Sequence, residues 1–206
     1  MLLAFVAVFL VTFLAAPLLG AGWYWDAGNA LGYAAGAGLL YLTAFGRGTA
    51  DLRVHHRLGQ YVLVVTLLHA FWFLLGDATV TVHLRSAAPA GLWLGVAGLL
   101  LQGALVTGAL LPRRWRLSRE HPAFRRWHRA LALGAIVTAG WHVLDSGFYL
   151  PQPYQMLLLA AVAALAGWGR DWQRHWPGHV WPGPRGFPVI VALVVLLFVA
   201  VRNWPA

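Results

Sequence analysis

Four histidines are placed where they could hold a metal-centred cofactor, and their spacing carries that reading. His55 and His69 stand fourteen positions apart in one apolar stretch, and His128 and His142 stand fourteen apart in another. On an α-helix that step covers about 21 Å and falls only about 40° short of four whole turns. Both histidines of each stretch therefore point to one face. Two such helices running in the same direction would pair His55 with His128 and His69 with His142. The result is two stacked bis-imidazole sites within a hydrocarbon core about 30 Å thick. Imidazole pairs are axial ligands for haem iron. His56 competes with His55, but its thirteen-residue step to His69 leaves it about 140° out of phase, so His55 is the expected ligand. The chain has no cysteine. Thiolate clusters and thioether-linked haem are thereby excluded, and two haem b groups are the expected cofactors.

The elements that must position these residues are membrane helices. The sequence is 60% hydrophobic and 10% charged over 206 residues, against about 25% charged in a soluble domain. Its mean hydropathy is +0.67. Seven apolar stretches approach the roughly 20 helical residues that a bilayer core requires. They fall at Leu2–Gly20, Ala30–Phe45, Val54–Leu75, Gly91–Leu111, Trp127–Ser146, Tyr154–Trp168 and Phe187–Arg202. The first lacks a basic leader and a small-x-small cleavage site, so it reads as a helix and not a signal peptide. The expected fold is an all-α polytopic bundle, with six core transmembrane helices in residues 1–170, a linker at 171–186 and an additional C-terminal helix in 187–206.

All fifteen basic residues are arginine. Thirteen lie in the connections after the second, fourth and sixth spans, and only Arg85 and Arg202 fall on the other side. The positive-inside rule then places the N-terminus in the cytoplasm of a bacterial-type inner membrane. The same rule accounts for the net charge of +9 without a nucleic-acid partner. In this topology His55 and His128 form the inner pair, and His69 and His142 the outer one. Arg53, Arg57, Arg126 and Arg129 surround the inner pair, where Arg57 and Arg129 are the candidates for holding haem propionates. Gly59 lies one turn after His55, and Gly134 and Gly140 precede His142. A macrocycle wedged between helices needs such missing side chains, although small residues also serve ordinary membrane helix packing. His83, His121, His175 and His179 lie in connections, and of these His121, His175 and His179 read as surface residues.

The run His55-His56-Arg57-Leu58-Gly59, then Leu67-Leu68-His69-Ala70, Trp127-His128-Arg129 and Trp141-His142, resembles the ferric reductase-like transmembrane domain. That family includes ferric reductases, NADPH oxidases and the haem-binding membrane subunit of the periplasmic methionine sulfoxide reductase. The resemblance covers about residues 1–170. It implies six core helices with haem ligands on the third and fifth, at His55, His69, His128 and His142, and a transmembrane electron conduit. The chain departs from the larger members in lacking a G-x-G-x-x-G dinucleotide fingerprint, so no flavin or nicotinamide domain is expected within it. Pro151-Gln152-Pro153 is similar to the corresponding stretch of the sulfoxide reductase subunit.

These readings converge on a two-haem b-type cytochrome. A flavoprotein or a quinol would donate electrons, and a separate protein or small acceptor would take them at the outer face. No catalytic residue is expected in the chain itself, only the electron-transfer role of a membrane oxidoreductase subunit. Two alternatives stay open: a quinol-linked anchor subunit of a respiratory complex, and a histidine-lined transporter or scaffold without redox chemistry.

Overall fold

The computed structural model describes residues 1–15, 20–44, 52–76, 85–111, 121–168 and 184–204. Among them are seven helices: α1 (Leu2–Thr12), α2 (Trp23–Ala44), α3 (Leu52–Gly76), α4 (Ala90–Leu110), α5 (His121–Ser146), α6 (Pro153–Trp168) and α7 (Gly186–Asn203). No strand occurs among the described residues. Three helices, α3, α4 and α7, are long and apolar enough to cross a membrane by length and composition, which gives the chain its membrane character. Helices α1 and α6 are apolar but shorter. The expected linker through residue 183, Arg47, Arg113, Arg114, Arg116, Arg119, Arg170 and Arg174, and His83, His175 and His179 lie outside the described residues.

Helix α2 is the hub, in contact with α1, α3, α5, α6 and α7. Small residues allow this. Ala30, Ala34 and Ala37 are fully buried, and a methyl added at Gly38 would lie 2.6 Å from Val62 of α3 and 3.0 Å from Phe187 of α7. Close backbone approach of this kind is how helices gain packing where lipid supplies no hydrophobic drive between them. Large apolar side chains meanwhile point outward from the bundle, among them Leu3, Leu75, Leu100, Leu157 and Leu196. Helix α7 is sided: Val189, Leu193, Leu196 and Leu197 are exposed while Phe187, Val191 and Phe198 enter the core. It is an integral part of the packing and not an appendage.

The expected first span, Leu2–Gly20, is corrected: its helix stops at Thr12. A helix carried through Pro17 would set the proline ring against the carbonyl of Phe13, four residues back. Eleven residues make a rod of about 16 Å, roughly half the hydrocarbon thickness. Its last carbonyls therefore need partners from within the protein, and they have them. Thr12 Oγ1 donates to Phe9 O at 2.7 Å, and Phe13 N–H donates to Leu10 O at 3.0 Å. Gln155 Nε2 of α6 donates to Val11 O at 2.7 Å, and Arg202 of α7 donates to Thr12 O at 2.5 Å. A cation at a helix C-terminus also matches the helix dipole. The second and fifth helices begin earlier than expected, at Trp23 and His121, because Trp, Tyr and Arg dilute hydropathy there without breaking the helix.

Gln155 is fully buried; its Nε2 also reaches Tyr149 O at 3.2 Å, and its Oε1 accepts from Gln152 N–H at 3.2 Å. Gln155→Leu strands these groups and is expected to cost about 1–3 kcal/mol. Thermal unfolding in detergent should show a lowered midpoint, and an unchanged midpoint would contradict this capping role.

Candidate functional site: two facing histidine pairs

Helices α4 and α5 form one tight pair, and α2 and α3 another. Helices α3 and α5 do not pack against each other as a pair in the same way. What bridges the space between them is imidazole. The ring centres of His55 and His128 are 6.2 Å apart, and those of His69 and His142 are 6.3 Å apart. Two helices whose residues meet at both ends of a fourteen-residue step must run in the same direction.

The separation is chemically informative. An imidazole nitrogen sits about 1.1 Å from its ring centre and a metal–imidazole bond is about 2.0–2.1 Å. Two rings binding one ion from opposite sides therefore have centres about 6.3 Å apart. Among the described residues no three His, Cys, Asp or Glu side chains converge on a metal position. An ion held by either pair would draw its remaining ligands from a chelating group that it brings along. The donor set of each pair, and the cavity beside His55 and His128, fit a flat macrocycle carrying its own equatorial nitrogens.

Hydrogen bonding fixes how the outer rings are presented. His69 Nδ1 lies 2.7 Å from Gly28 O of α2, and His142 Nδ1 lies 2.8 Å from Gly91 O of α4. A carbonyl oxygen only accepts, so Nδ1 must carry the proton in each ring. That leaves the Nε2 lone pair free, the tautomer a metal requires. One turn on, a methyl at Gly32 would lie 2.8–3.1 Å from the His69 ring, and one at Gly95 would lie 3.0–3.2 Å from the His142 ring. Each outer histidine is thus seated on a Gly-x-x-x-Gly of its neighbouring helix, Gly28–Gly32 for His69 and Gly91–Gly95 for His142. The first glycine offers its carbonyl and the second makes room for the ring. Sequence reasoning passed over these four glycines, although the motif is plain in the chain and typical of close helix packing. The outer ends of α2 and α3 are also tied together. Tyr24 hydroxyl donates to Trp72 O at 2.8 Å, and Trp72 Nε1 donates to Tyr24 O at 3.0 Å.

The inner pair opens into a cavity of about 570 Å³, within the range of roughly 300–1,000 Å³ for small-molecule and cofactor sites. Its walls are mainly apolar, from Leu39, Leu42, Leu105 and Val106. Its polar groups are His55, His128, His56, Arg125, Arg129 and Gln102. Gly59 lines it, and a methyl there would touch nothing within 4 Å. The ring that stands 6.2 Å from His128 is that of His55, while His56 contributes to the wall.

Of the expected propionate partners, Arg129 lines this cavity together with Arg125. Arg57 is exposed and is not among the lining residues. Gly134 faces Leu101 of α4, and Gly140 faces open space. Between the two histidine levels Thr66 Oγ1 lies 2.8 Å from the buried Gln102 side-chain amide.

Family models, curated proteins and solved structures each give no match to this chain. The functional reading therefore rests on the residues and their geometry.

Gly32→Ala and Gly95→Ala should each force an outer histidine ring to move. If the pairs hold the two haems proposed below, each variant should lose the haem of the His69–His142 pair, and the haem-to-protein ratio should fall toward half its wild-type value. Gly167→Ala on α6, where a methyl meets nothing within 4 Å, should leave that ratio unchanged. Equal retention in all three variants would show that the glycines do not shape the site.

Proposed function

We propose that the chain is a two-haem b-type membrane cytochrome that relays electrons across the bilayer. The observation that carries this reading is the pair of facing imidazoles at each end of α3 and α5, with ring centres 6.2 and 6.3 Å apart. In this reading His55 and His128 are the axial ligands of an inner haem, and His69 and His142 those of an outer one. Haem supplies one-electron exchange between ferric and ferrous iron, at a potential set in part by its axial ligands and their hydrogen bonds.

The protein's contribution is binding, orientation and electrostatics. The carbonyls of Gly28 and Gly91 hold the two outer rings in the coordinating tautomer. Arg125 and Arg129, at the inner cavity, supply positive charge for propionates. Two protein ligands on each iron leave no open position, so the haems pass electrons and do not bind substrate.

The proposed placement is an inner membrane of bacterial type, with six core helices and α7 packed against them. The excess of arginine in the even-numbered connections supports a cytoplasmic N-terminus. Cytoplasmic flavoprotein or quinol would donate, and a partner at the outer face would accept. The spaced histidines support kinship with the ferric reductase-like transmembrane domain. A histidine-lined scaffold without redox chemistry would need no matched pair of metal-spanning separations.

A pyridine haemochrome assay on the purified protein should return two haems b per chain, with low-spin spectra. One haem or none per chain would sink the two-haem reading, and the absence of a Soret band would favour a non-redox scaffold.

A further inference from the structure

Gln102 carries a polar group that helix packing leaves half used. The residue is only 5% exposed, and its neighbour on α4, Leu101, faces Gly134 of α5. Position 134 is six residues from His128 and eight from His142, so Gln102 stands near the middle of the apolar bundle. Its Oε1 accepts from the Thr66 hydroxyl of α3 at 2.8 Å. That bond ties α4 to α3, and such bonds are an ordinary means of membrane helix packing. It accounts for one end of the amide only.

The other end has no partner among the described residues. Arg202 Nε is the one fully enclosed polar side-chain atom without a partner among them. Gln102 Nε2, equally unpartnered, is therefore open to the 570 Å³ cavity that the residue lines. The Thr66 hydroxyl also lies 2.9 Å from Val62 O, and it has a single hydrogen for two acceptors. Val62 O already accepts the helical bond of the Thr66 N–H, whereas Oε1 has no other donor. The hydroxyl hydrogen goes to Oε1, and both Nε2 hydrogens remain for the cavity.

Unpaired amide hydrogens at this depth are costly, and their placement on a cavity wall points to a group bound there. The walls show which end of that group meets them. Lining residues on α4 run from Gln102 to Leu110, about 12 Å of helix. Gln102 marks the deep end, among apolar neighbours such as Leu105 and Val106. Arg125 and Arg129 line the other end, from the first turns of α5. The anionic groups of a cofactor belong at the arginines and its uncharged end at Gln102.

We propose that Gln102 is a positioning residue for the inner cofactor, its amide fixed by Thr66 so that the Nε2 hydrogens raise that cofactor's affinity for an electron. This rests on the haem reading of the His55–His128 pair. Reduction adds one electron to ferric iron and lowers the local charge by one, with no bond made or broken at Gln102. The positive end of an amide dipole on a wall of low dielectric favours the state that has gained the electron. Gln102 lines only the cavity at His55 and His128, so the outer haem serves as an internal reference in the same molecule.

Potentiometric titration of the purified holoprotein, following both haem components, tests the assignment. The inner component is the one that His128→Ala removes. Gln102→Met keeps the volume and loses the amide. It should lower the equilibrium constant for reducing the inner haem at least threefold, a fall of about 30 mV at 59 mV per tenfold for one electron. Haem content and the outer midpoint should stay as in wild type. Thr66→Val, which removes the hydroxyl that fixes the amide, should lower the inner midpoint by less. A merely structural role would reduce haem content or move both midpoints together, and either result overturns the proposal. So does an inner midpoint that stays or rises in Gln102→Met or, where that variant fails to fold, in Thr66→Val. Wild-type protein without an inner haem overturns the haem reading and this proposal together, whereas two haems with an unmoved inner midpoint overturn this proposal alone.

Discussion

The hydrogen bond from a histidine Nδ1–H to a glycine carbonyl is the contact on which the half of the bundle around His69 and His142 depends. Because a carbonyl can only accept, the bonds to Gly28 O and Gly91 O dictate where each ring keeps its proton and which nitrogen faces the gap. The contact requires α2 to lie close on α3 and α4 on α5, which glycine at positions 28, 32, 91 and 95 permits. A side chain at Gly32 or Gly95 would occupy the place of the ring itself. Two tight helix pairs then carry α3 and α5 on either side of a space across which imidazoles face one another at both levels. Tight packing outside the site and looseness within it are thus two sides of one arrangement.

The end of the bundle where α1 and α7 stop solves a different problem. A helix that ends within an apolar surround exposes carbonyls that lipid cannot satisfy. Helix α1 ends after eleven residues, and Gln155 and Arg202 supply donors from α6 and α7. Bringing a guanidinium into the protein is costly unless the charge is compensated. Asp26 and three aromatic rings provide that compensation. Helix α7 is in this way required by the early end of α1. The same polar cluster leaves the buried Arg202 Nε–H without a partner in the protein.

Much of this was legible in the chain. Hydropathy located all seven helices, since apolar runs in a membrane protein report the solvent directly. The fourteen-residue spacing placed the four histidines on facing sides because helical phase is fixed by backbone geometry. Helix ends were less legible. Trp23 and the start of α5 lowered hydropathy without interrupting the backbone, and the stop at Thr12 was masked by apolar residues beyond it. The seats of His69 and His142 were missed because Gly-x-x-x-Gly marks close approach without saying what approaches. Arg202 was counted as a topological exception, and that exception was the signal. An arginine on the sparsely charged side needs a local reason, here the carbonyl of Thr12. Asp26 and Tyr149 had no signal of this kind, because their contacts join residues more than 120 positions apart.

What the structure contributes to function is a pairing, and the pairing is open to direct test. Optical spectra of the reduced protein, recorded for single and double histidine variants, would resolve which histidines serve the same proposed haem. The account predicts that His69→Ala, His142→Ala and their double variant all lose one and the same spectral component. His55→Ala, His128→Ala and their double variant should lose the other, and His56→Ala should lose neither. If His69→Ala and His142→Ala depleted different components, or if His56→Ala removed a component that His55→Ala spared, the facing arrangement of α3 and α5 would be contradicted as the basis of cofactor binding.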